Sequence, residues 1–233
     1  LSSGGYHTCA VLDNGSVSCW GGGSDGQLGN GGISSTSTPT LTSSLGIGRT
    51  AVAISVGTRH SCAILDDGLV KCWGDGNNGQ LGNGATSDKT TPTITSTLGT
   101  GHAAVALSSE GYHTCAILDN GSVSCWGLGS DGQLGNGGNS SSSIPTLISS
   151  LGTGRTAVAL SSGGTHTCTI LDNGTVSCWG GNSDGQLGDG TTSFRNTPTQ
   201  TFALGTSANP QTVALSERDF DDDGILNIFD THM

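Results

Sequence analysis

Positive charge, aromatic rings and long apolar runs are all scarce in this chain of 233 residues, and each scarcity removes a class of function. Seven lysines and arginines stand against 18 aspartates and glutamates, for a formal net charge of −11. A protein that neutralises nucleic-acid phosphates needs clustered cations, so this balance argues against nucleic-acid binding. No stretch approaches the ~20 apolar residues that cross a bilayer, so no membrane span is expected. Aromatic residues make up 4% of the chain, and Leu, Ile, Val and Phe together just under a fifth. Composition alone therefore leans toward disorder. Long amphipathic helices are absent too. Glycine is abundant, at 41 residues, and the spacing of residues overturns the disordered reading.

Cysteines fall at Cys9, Cys62, Cys115 and Cys168, an interval of 53 each time, and Cys19, Cys72, Cys125 and Cys178 keep the same interval. So do Trp20, Trp73, Trp126 and Trp179. Residues Gly5–Gly32 and Gly111–Gly138 differ only at Val11/Ile117 and Gly22/Leu128. A fixed period of this length signals a repeat architecture. Within a unit, an apolar stretch such as Ala157–Leu160 leads to a strand over His166–Leu171. Asp172-Asn173-Gly174 then turns the chain into a strand over Thr175–Trp179. Asn-Gly between alternating apolar positions is a strong hairpin signal. A Pro-containing segment such as Ile144–Ser149 suits an outer edge strand. The fold class is all-β, with four short strands per unit as in a propeller blade; a solenoid of hairpins is the competing arrangement.

The units divide at about 1–51, 52–104, 105–157 and 158–212, followed by a strand at 213–216 and an acidic tail at 217–233. Gly5-Tyr6-His7-Thr8-Cys9-Ala10, Asp13-Asn14-Gly15, Cys19-Trp20-Gly21 and Asp25-Gly26-Gln27-Leu28-Gly29-Asn30-Gly31 together resemble the regulator of chromosome condensation repeat. The resemblance covers all four units and implies a β-propeller. Members of that family are typically seven-bladed. Four units then imply a small closed propeller, a fragment, or part of a larger assembly.

The paired cysteines lie symmetrically about Asn14 and its counterparts. A three-residue turn Asp13-Asn14-Gly15, with Gly in the left-handed region, places Cys9 opposite Cys19, within disulfide reach. Reduced core cysteines and a metal site are the alternatives, although zinc favours closer Cys spacing. Disulfides imply an extracellular or cell-surface location. The absence of a signal peptide and the initial Leu suit a processed chain or a fragment.

Outside the repeats, Asp219, Asp221, Asp223, Gly224, Asn227 and Asp230 occupy positions 1, 3, 5, 6, 9 and 12 of a calcium loop, and Ile225 would offer its carbonyl at position 7. Alternating carboxylates around a Gly turn supply the oxygens that Ca²⁺ requires. With Asp rather than Glu last, the loop resembles those of dockerins and thrombospondin type 3 repeats. The implied cofactor is calcium; a solvated acidic linker is the alternative.

Other residue types recur once per unit and so read as folding rules. His7, His60, His113 and His166 are expected to satisfy neighbouring backbone groups, although four histidines around an axis could ring a metal. The tryptophans read as blade packing. Asp25, Asp131 and Asp184 precede Gly in turns where Asx hydrogen bonding explains them. Asn14, Asn120, Asn173 and Asn139 lie in Asn-x-Ser/Thr sequons, and Asn139 is the best placed for a glycan. No unique nucleophile is matched to a unique base, so no enzyme activity is expected.

A binding face must break the repeat symmetry. Arg59, Lys71, Asp75, Asn77 and Asn78 in repeat two do so, as do Phe194 and Arg195 in repeat four, where a two-residue insertion is expected around Phe194-Arg195-Asn196. These are the candidate partner contacts. Repeat one begins at Leu1-Ser2-Ser3 without the apolar strand that precedes its siblings, and Val213-Ala214-Leu215-Ser216 resembles the missing piece. That strand would close a ring within one chain or be donated to the next copy in a head-to-tail fibre. Two functions follow. One is an extracellular structural subunit of a layer, matrix or fibre, partnered by itself. The other is a binding module for another extracellular protein, such as an adhesin or inhibitor. The repeat resemblance supports the second, since some secreted relatives inhibit β-lactamases; the exchange and chromatin functions of nuclear relatives fit the acidity and cysteine pairs badly.

Overall fold

The computed structural model describes residues 1–202 other than residue 100, and residue 204. Asp219, Asp221, Asp223, Ile225, Asn227, Asp230 and the strand Val213, Ala214, Leu215 and Ser216 lie outside the described residues. Blade 1 comprises β1 (Ser2–Ser3), β2 (His7–Val11), β3 (Val17–Gly21) and β4 (Thr36–Leu41). Blade 2 comprises β5 (Ala51–Val56), β6 (His60–Leu65), β7 (Val70–Gly74) and β8 (Lys89–Ile94). In blade 3 these are β9 (Ala104–Glu110), β10 (His113–Leu118), β11 (Val123–Gly127) and β12 (Ser142–Leu147). Blade 4 comprises β13 (Ala157–Ser162), β14 (His166–Leu171), β15 (Val176–Gly180) and β16 (Arg195–Gln200). Each blade is one antiparallel sheet with its strands in chain order, and the described residues contain no helix. The first blade is complete in strand number, because Ser2–Ser3 pairs with Thr8 and Cys9 as a short first strand.

Hairpin chemistry sets the blade. Leu12 and Ser16 close the turn through Leu12 N–H to Ser16 O (2.8 Å), and Gly15 sits at φ 74°. Asn14 Oδ1 accepts from the Ser16 amide (3.0 Å) and hydroxyl (2.7 Å), which fixes the turn from within. The resulting register puts Cys9 opposite Cys19, Cys62 opposite Cys72, Cys115 opposite Cys125 and Cys168 opposite Cys178. All four pairs are disulfides with a Cα–Cα distance of 4.1 Å. There are no free cysteines.

First strands pack on first strands, β1 on β5, β5 on β9 and β9 on β13. They form the inner side of the array, as in a propeller rather than a solenoid of hairpins. The fourth strands lie at the outside of their sheets and carry Pro39, Pro92, Pro145 and Pro198, where a missing amide costs no ladder bond. The apolar core lies between blades. Cys9, Val17, Cys19 and Leu28 of blade 1 meet Ala63, Leu65 and Trp73 of blade 2. The same set recurs as Cys62, Ile64, Val70, Cys72 and Leu81 against Ala116, Leu118 and Trp126. Each disulfide thus staples a hairpin, and the first three also form part of the floor for the next blade.

Candidate interaction surface

Each blade junction carries the same polar latch. His60 Nε2 lies 2.8 Å from Thr114 Oγ1 of the next blade, and that hydroxyl donates to the carbonyl of Gln80 (3.3 Å). The same carbonyl also accepts from Trp126 Nε1 at 2.9 Å. His7, Ser61, Gln27 and Trp73 repeat the pattern at the first junction. His113, Thr167, Gln133 and Trp179 repeat it at the third. Because the hydroxyl spends its proton on the carbonyl, Nε2 must be the protonated ring nitrogen, leaving Nδ1 bare. Nδ1 of His7, His60 and His113 is buried without a partner. Burial pushes the His7 and His113 pKa down to about 4 and that of His60 to about 3, with neighbouring histidine charges adding to the effect at His60 and His113. Three of the four recurring histidines, His7, His60 and His113, therefore serve side chains 54 residues away rather than local backbone, and among the described residues no three His, Cys, Asp or Glu side chains gather where a metal could sit.

The Asp-Gly turns also differ from the Asx expectation. Gln27 Oε1 takes the Asp25 amide (2.9 Å), and Gln133 and Gln186 do the same for Asp131 and Asp184. The Asp25 carboxylate instead accepts from Arg59 Nη1 at 3.2 Å. Gln therefore braces the turn in every blade, while the carboxylates of Asp25, Asp131 and Asp184 each accept from the hydroxyl of the preceding serine.

One rim collects the breaks in symmetry. Positions 6, 59, 112 and 165 hold Tyr6, Arg59, Tyr112 and Thr165, and positions 22, 75, 128 and 181 hold Gly22, Asp75, Leu128 and Gly181. The two sets lie side by side, because the amide of each second residue donates to the carbonyl of the first at 2.8–2.9 Å. Arg59 also sits 5.0 Å above the Tyr6 ring. Both tyrosines of the chain lie on this rim. Their recurrence in an aromatic-poor sequence is the signal that sequence reasoning missed.

The sequence candidates divide. Arg59 belongs to the rim, whereas Asp75 beside it is buried, at 6% exposed. Asp75 Oδ1 holds the amide (3.0 Å) and side chain (2.7 Å) of Asn77, and Asn78 donates its amide to Gln80 Oε1 (2.9 Å), so these groups also shape their own turn. Lys71 faces Ala63 and Ile94 within the sheet and is not brought to Arg59. The two-residue insertion around Phe194-Arg195-Asn196 is not there. Arg195 pairs with Gly180 just as Lys89 pairs with Gly74, fifteen residues on in both blades. Arg195 Nε instead binds Asp189 Oδ2 at 2.7 Å. The buried Asn182, in place of the glycine of the other blades, ties Thr191 and Ser193 into the same loop. Phe194 and Asn139 are exposed.

These sheets define a bladed, propeller-type repeat protein. The profile of the regulator of chromosome condensation (RCC1) repeat matches residues 14–64, 67–117, 120–170 and 173–217. The chain belongs to the RCC1 repeat family. The first three matches start near a hairpin turn and end in the following blade, so the family repeat spans a blade junction. The ultraviolet-B receptor UVR8 of Arabidopsis thaliana is 32% identical over 206 residues, covering 88% of this chain and 46% of the receptor. The E3 ubiquitin-protein ligase HERC2 of Homo sapiens is 30% identical over 201 residues, covering 85% of this chain and 4% of the ligase. Human WBSCR16 superposes with a TM-score of 0.78 at 24% identity, over 87% of this chain and 52% of that one. Yeast RCC1 (Prp20), in its complex with Kap60, gives 0.73 at 23%, over 88% and 49%. The chain spans about half or less of each relative, and the likeness to the two structures is one of fold.

Proposed function

We propose that this protein is a non-enzymatic binding module whose contact surface is the rim of Tyr6, Arg59, Tyr112 and Leu128. The observation that carries this reading is the pairing of the two variable positions along one rim, populated by tyrosine and arginine. Those residues dominate binding hot spots because they offer large rigid area with polar tips. Disulfide-stapled hairpins hold the rim still, which lowers the entropy cost of docking. Four disulfides and no free thiol support an extracellular or cell-surface setting. The partner class is another extracellular protein. The test captures partners on the immobilised, oxidised chain from secreted and surface extracts. The triple variant Y6A/R59E/Y112A should lose at least about tenfold in affinity with its unfolding midpoint unchanged. Equal capture by both proteins refutes the rim.

The spacing of Asp219, Asp221, Asp223, Ile225, Asn227 and Asp230 supports calcium as a bound cofactor. Calorimetric titration of the whole chain with Ca²⁺ against D221A/D223A tests it, and identical heats refute it. A second reading, a self-assembling structural subunit, rests on Val213-Ala214-Leu215-Ser216, whose sequence resembles the first strand of a blade and could be donated to another copy; a one-chain mass at every concentration in sedimentation refutes it.

A further inference from the structure

Two side chains of blade 1, Tyr6 and Asp25, hold a guanidinium between them. Arg59 Nη1 lies 3.2 Å from Asp25 Oδ2, and the same guanidinium sits 5.0 Å above the Tyr6 ring. The carboxylate and the face of the ring both attract the cation, and a planar guanidinium can donate to one while lying on the other. Tyr6 and Asp25 thus form an arginine site, and the side chain in it comes from the neighbouring blade, 34 residues beyond Asp25.

Blade 3 carries the same two groups, Tyr112 and Asp131, two repeats further on, and both are partly exposed. The backbone around them is matched. Gly22 N–H donates to the Tyr6 carbonyl at 2.8 Å, and Leu128 N–H to that of Tyr112 at 2.9 Å. Gln27 Oε1 takes the Asp25 amide at 2.9 Å, and Gln133 Oε1 takes that of Asp131 at 2.9 Å. Gly26 and Gly132, which follow the two aspartates, have φ of 81° and 80°. The next blade is seated alike in both cases, since Gly31 N–H donates to the Thr90 carbonyl at 2.9 Å and Gly137 N–H to that of Asn196 at 2.8 Å. The incoming residue differs. Blade 4 presents Thr165 where blade 2 presents Arg59. Thr165 carries no charge, and its hydroxyl leans over Gly181 of its own blade, 2.6 Å from where a Cβ there would stand. Among the described residues the Asp131 carboxylate pairs with no cation and accepts only from the Ser130 hydroxyl, at 3.3 Å. The Tyr112 turn also differs from that of Tyr6, with Glu110 in place of Gly4 and Gly111 at φ 54°, which adds a second carboxylate to the same stretch of rim.

We infer that Tyr112 and Asp131 receive an arginine side chain of the partner protein, as Tyr6 and Asp25 receive Arg59. The inference rests on the rim as the contact surface and adds the chemistry of what docks there. The incoming guanidinium donates to the Asp131 carboxylate and lies over the Tyr112 ring. Glu110 and Asp131 make this part of the rim acidic, so a cationic side chain also meets complementary charge as it approaches. Lysine is the poorer fit, because its compact, strongly hydrated ammonium lacks the flat fork that serves ring and carboxylate together.

The test uses the full chain with its disulfides intact and, as probe, an end-capped Gly-Arg-Gly peptide, titrated while backbone amide shifts are followed by NMR. Saturable shifts are expected at Tyr112, Leu128 and Asp131, with the matching Gly-Lys-Gly peptide binding more weakly. Asp131→Asn should weaken the arginine peptide by about tenfold or more, through loss of a charged hydrogen bond. Thr165→Arg lets blade 4 supply what blade 2 supplies to blade 1, so it should abolish those shifts. Arg59→Ala releases Tyr6 and Asp25, so a second set of shifts should appear at Gly22 and Asp25. Arg59, Asp131 and Thr165 are all at least partly exposed, and a native amide spectrum checks the fold of each variant. The inference is overturned by no saturable shift in wild type, by equal affinity in Asp131→Asn, or by shifts that survive Thr165→Arg. A second set that fails to appear in Arg59→Ala overturns the template on which it rests. Partner capture separates the arginine site from the rim itself. Partners lost by Y6A/R59E/Y112A but kept by Asp131→Asn and Thr165→Arg overturn the site and leave the rim. Peptide binding with the expected variant pattern but no captured partner supports the site while the rim reading fails.

Discussion

Mild acid should loosen the blade junctions through their buried histidines. His7, His60 and His113 each donate from Nε2 across a junction and hold a bare Nδ1 in a buried site. A second proton would have to enter at Nδ1 with no acceptor to receive it. Their pKa values fall from 6.5 to about 4, 3 and 4 in the folded chain, chiefly through desolvation. Unfolding returns each ring to water, where it binds a proton below pH 6.5. The unfolded chain therefore holds more protons between pH 6.5 and about 4, and stability falls as pH drops through that window. Each histidine contributes a slope of up to ~1.4 kcal/mol per pH unit. At pH 5 this is about 2 kcal/mol each, or up to ~6 kcal/mol if one transition releases all three. A typical domain has about 5–15 kcal/mol in total, so the effect is large. The assay is guanidinium unfolding of the oxidised chain followed by fluorescence of the buried tryptophans, at pH 7.5, 6 and 5. Asp119 and Asp189 are held below the ordinary carboxylate range by hydrogen bonds, Asp189 to about 2, so they do not contribute in that window. A midpoint that stays constant from pH 7.5 to 5 would refute the neutral-latch account.

Other predictions test the same junctions. Thr114→Val keeps the side-chain volume but strands the His60 donor, so it should cost about 1–3 kcal/mol in unfolding free energy. Gly82→Ala forces a side chain into φ +66° with its Cβ 2.8 Å from Trp126 Nε1, whereas Gly154→Ala at φ +69° meets open space. Denaturation midpoints should place G154A about 1 kcal/mol below wild type and G82A clearly lower; equal losses would mean the Trp126 ring yields freely. Replacing Cys115 and Cys125 with serine opens a loop of ten residues, and the chain-entropy relation sets about 3 kcal/mol as the upper limit. A loss above that limit in calorimetry would show that the sulfur packing between blades matters more than the cross-link.

What could be read from the sequence was what is local or periodic. Asp-Asn-Gly turns, cysteines placed symmetrically about Asn14 and a 53-residue period determine hairpin register directly, and the four disulfides follow. The latch was not legible because its partners are 54 residues apart and meet only when two blades stack. His60 in isolation looks like any polar residue at a strand entrance. The role of Gln27 was hidden for a related reason. Its side chain braces the Asp25 turn while its carbonyl serves the next blade, and only the first of these is a local matter. The insertion was misplaced because Phe194-Arg195 departs in chemistry, not in length, from Asp88-Lys89. The rim required knowing that Gly22 and Tyr6, sixteen residues apart, share a backbone hydrogen bond.

Repeats one and three offer a control that few proteins contain. Across Gly5–Gly32 and Gly111–Gly138 the two hairpins differ at only two positions, yet one lies at the end of the array and the other in its interior. Intrinsic turn and strand preferences are therefore nearly matched, and a difference in local stability must come from neighbours. The strand β10 is buried along its whole length, whereas β2 is partly exposed at three of its five residues. In a linear array, stability is close to a sum of repeat and nearest-neighbour terms. Among the described residues, opening blade 3 breaks two junctions, and opening blade 1 breaks one. Amide exchange at low concentration should thus be slower in β10–β11 than in β2–β3, by the free energy of one junction. Equal rates would mean that the hairpin and its disulfide, not the stacking of blades, set local stability.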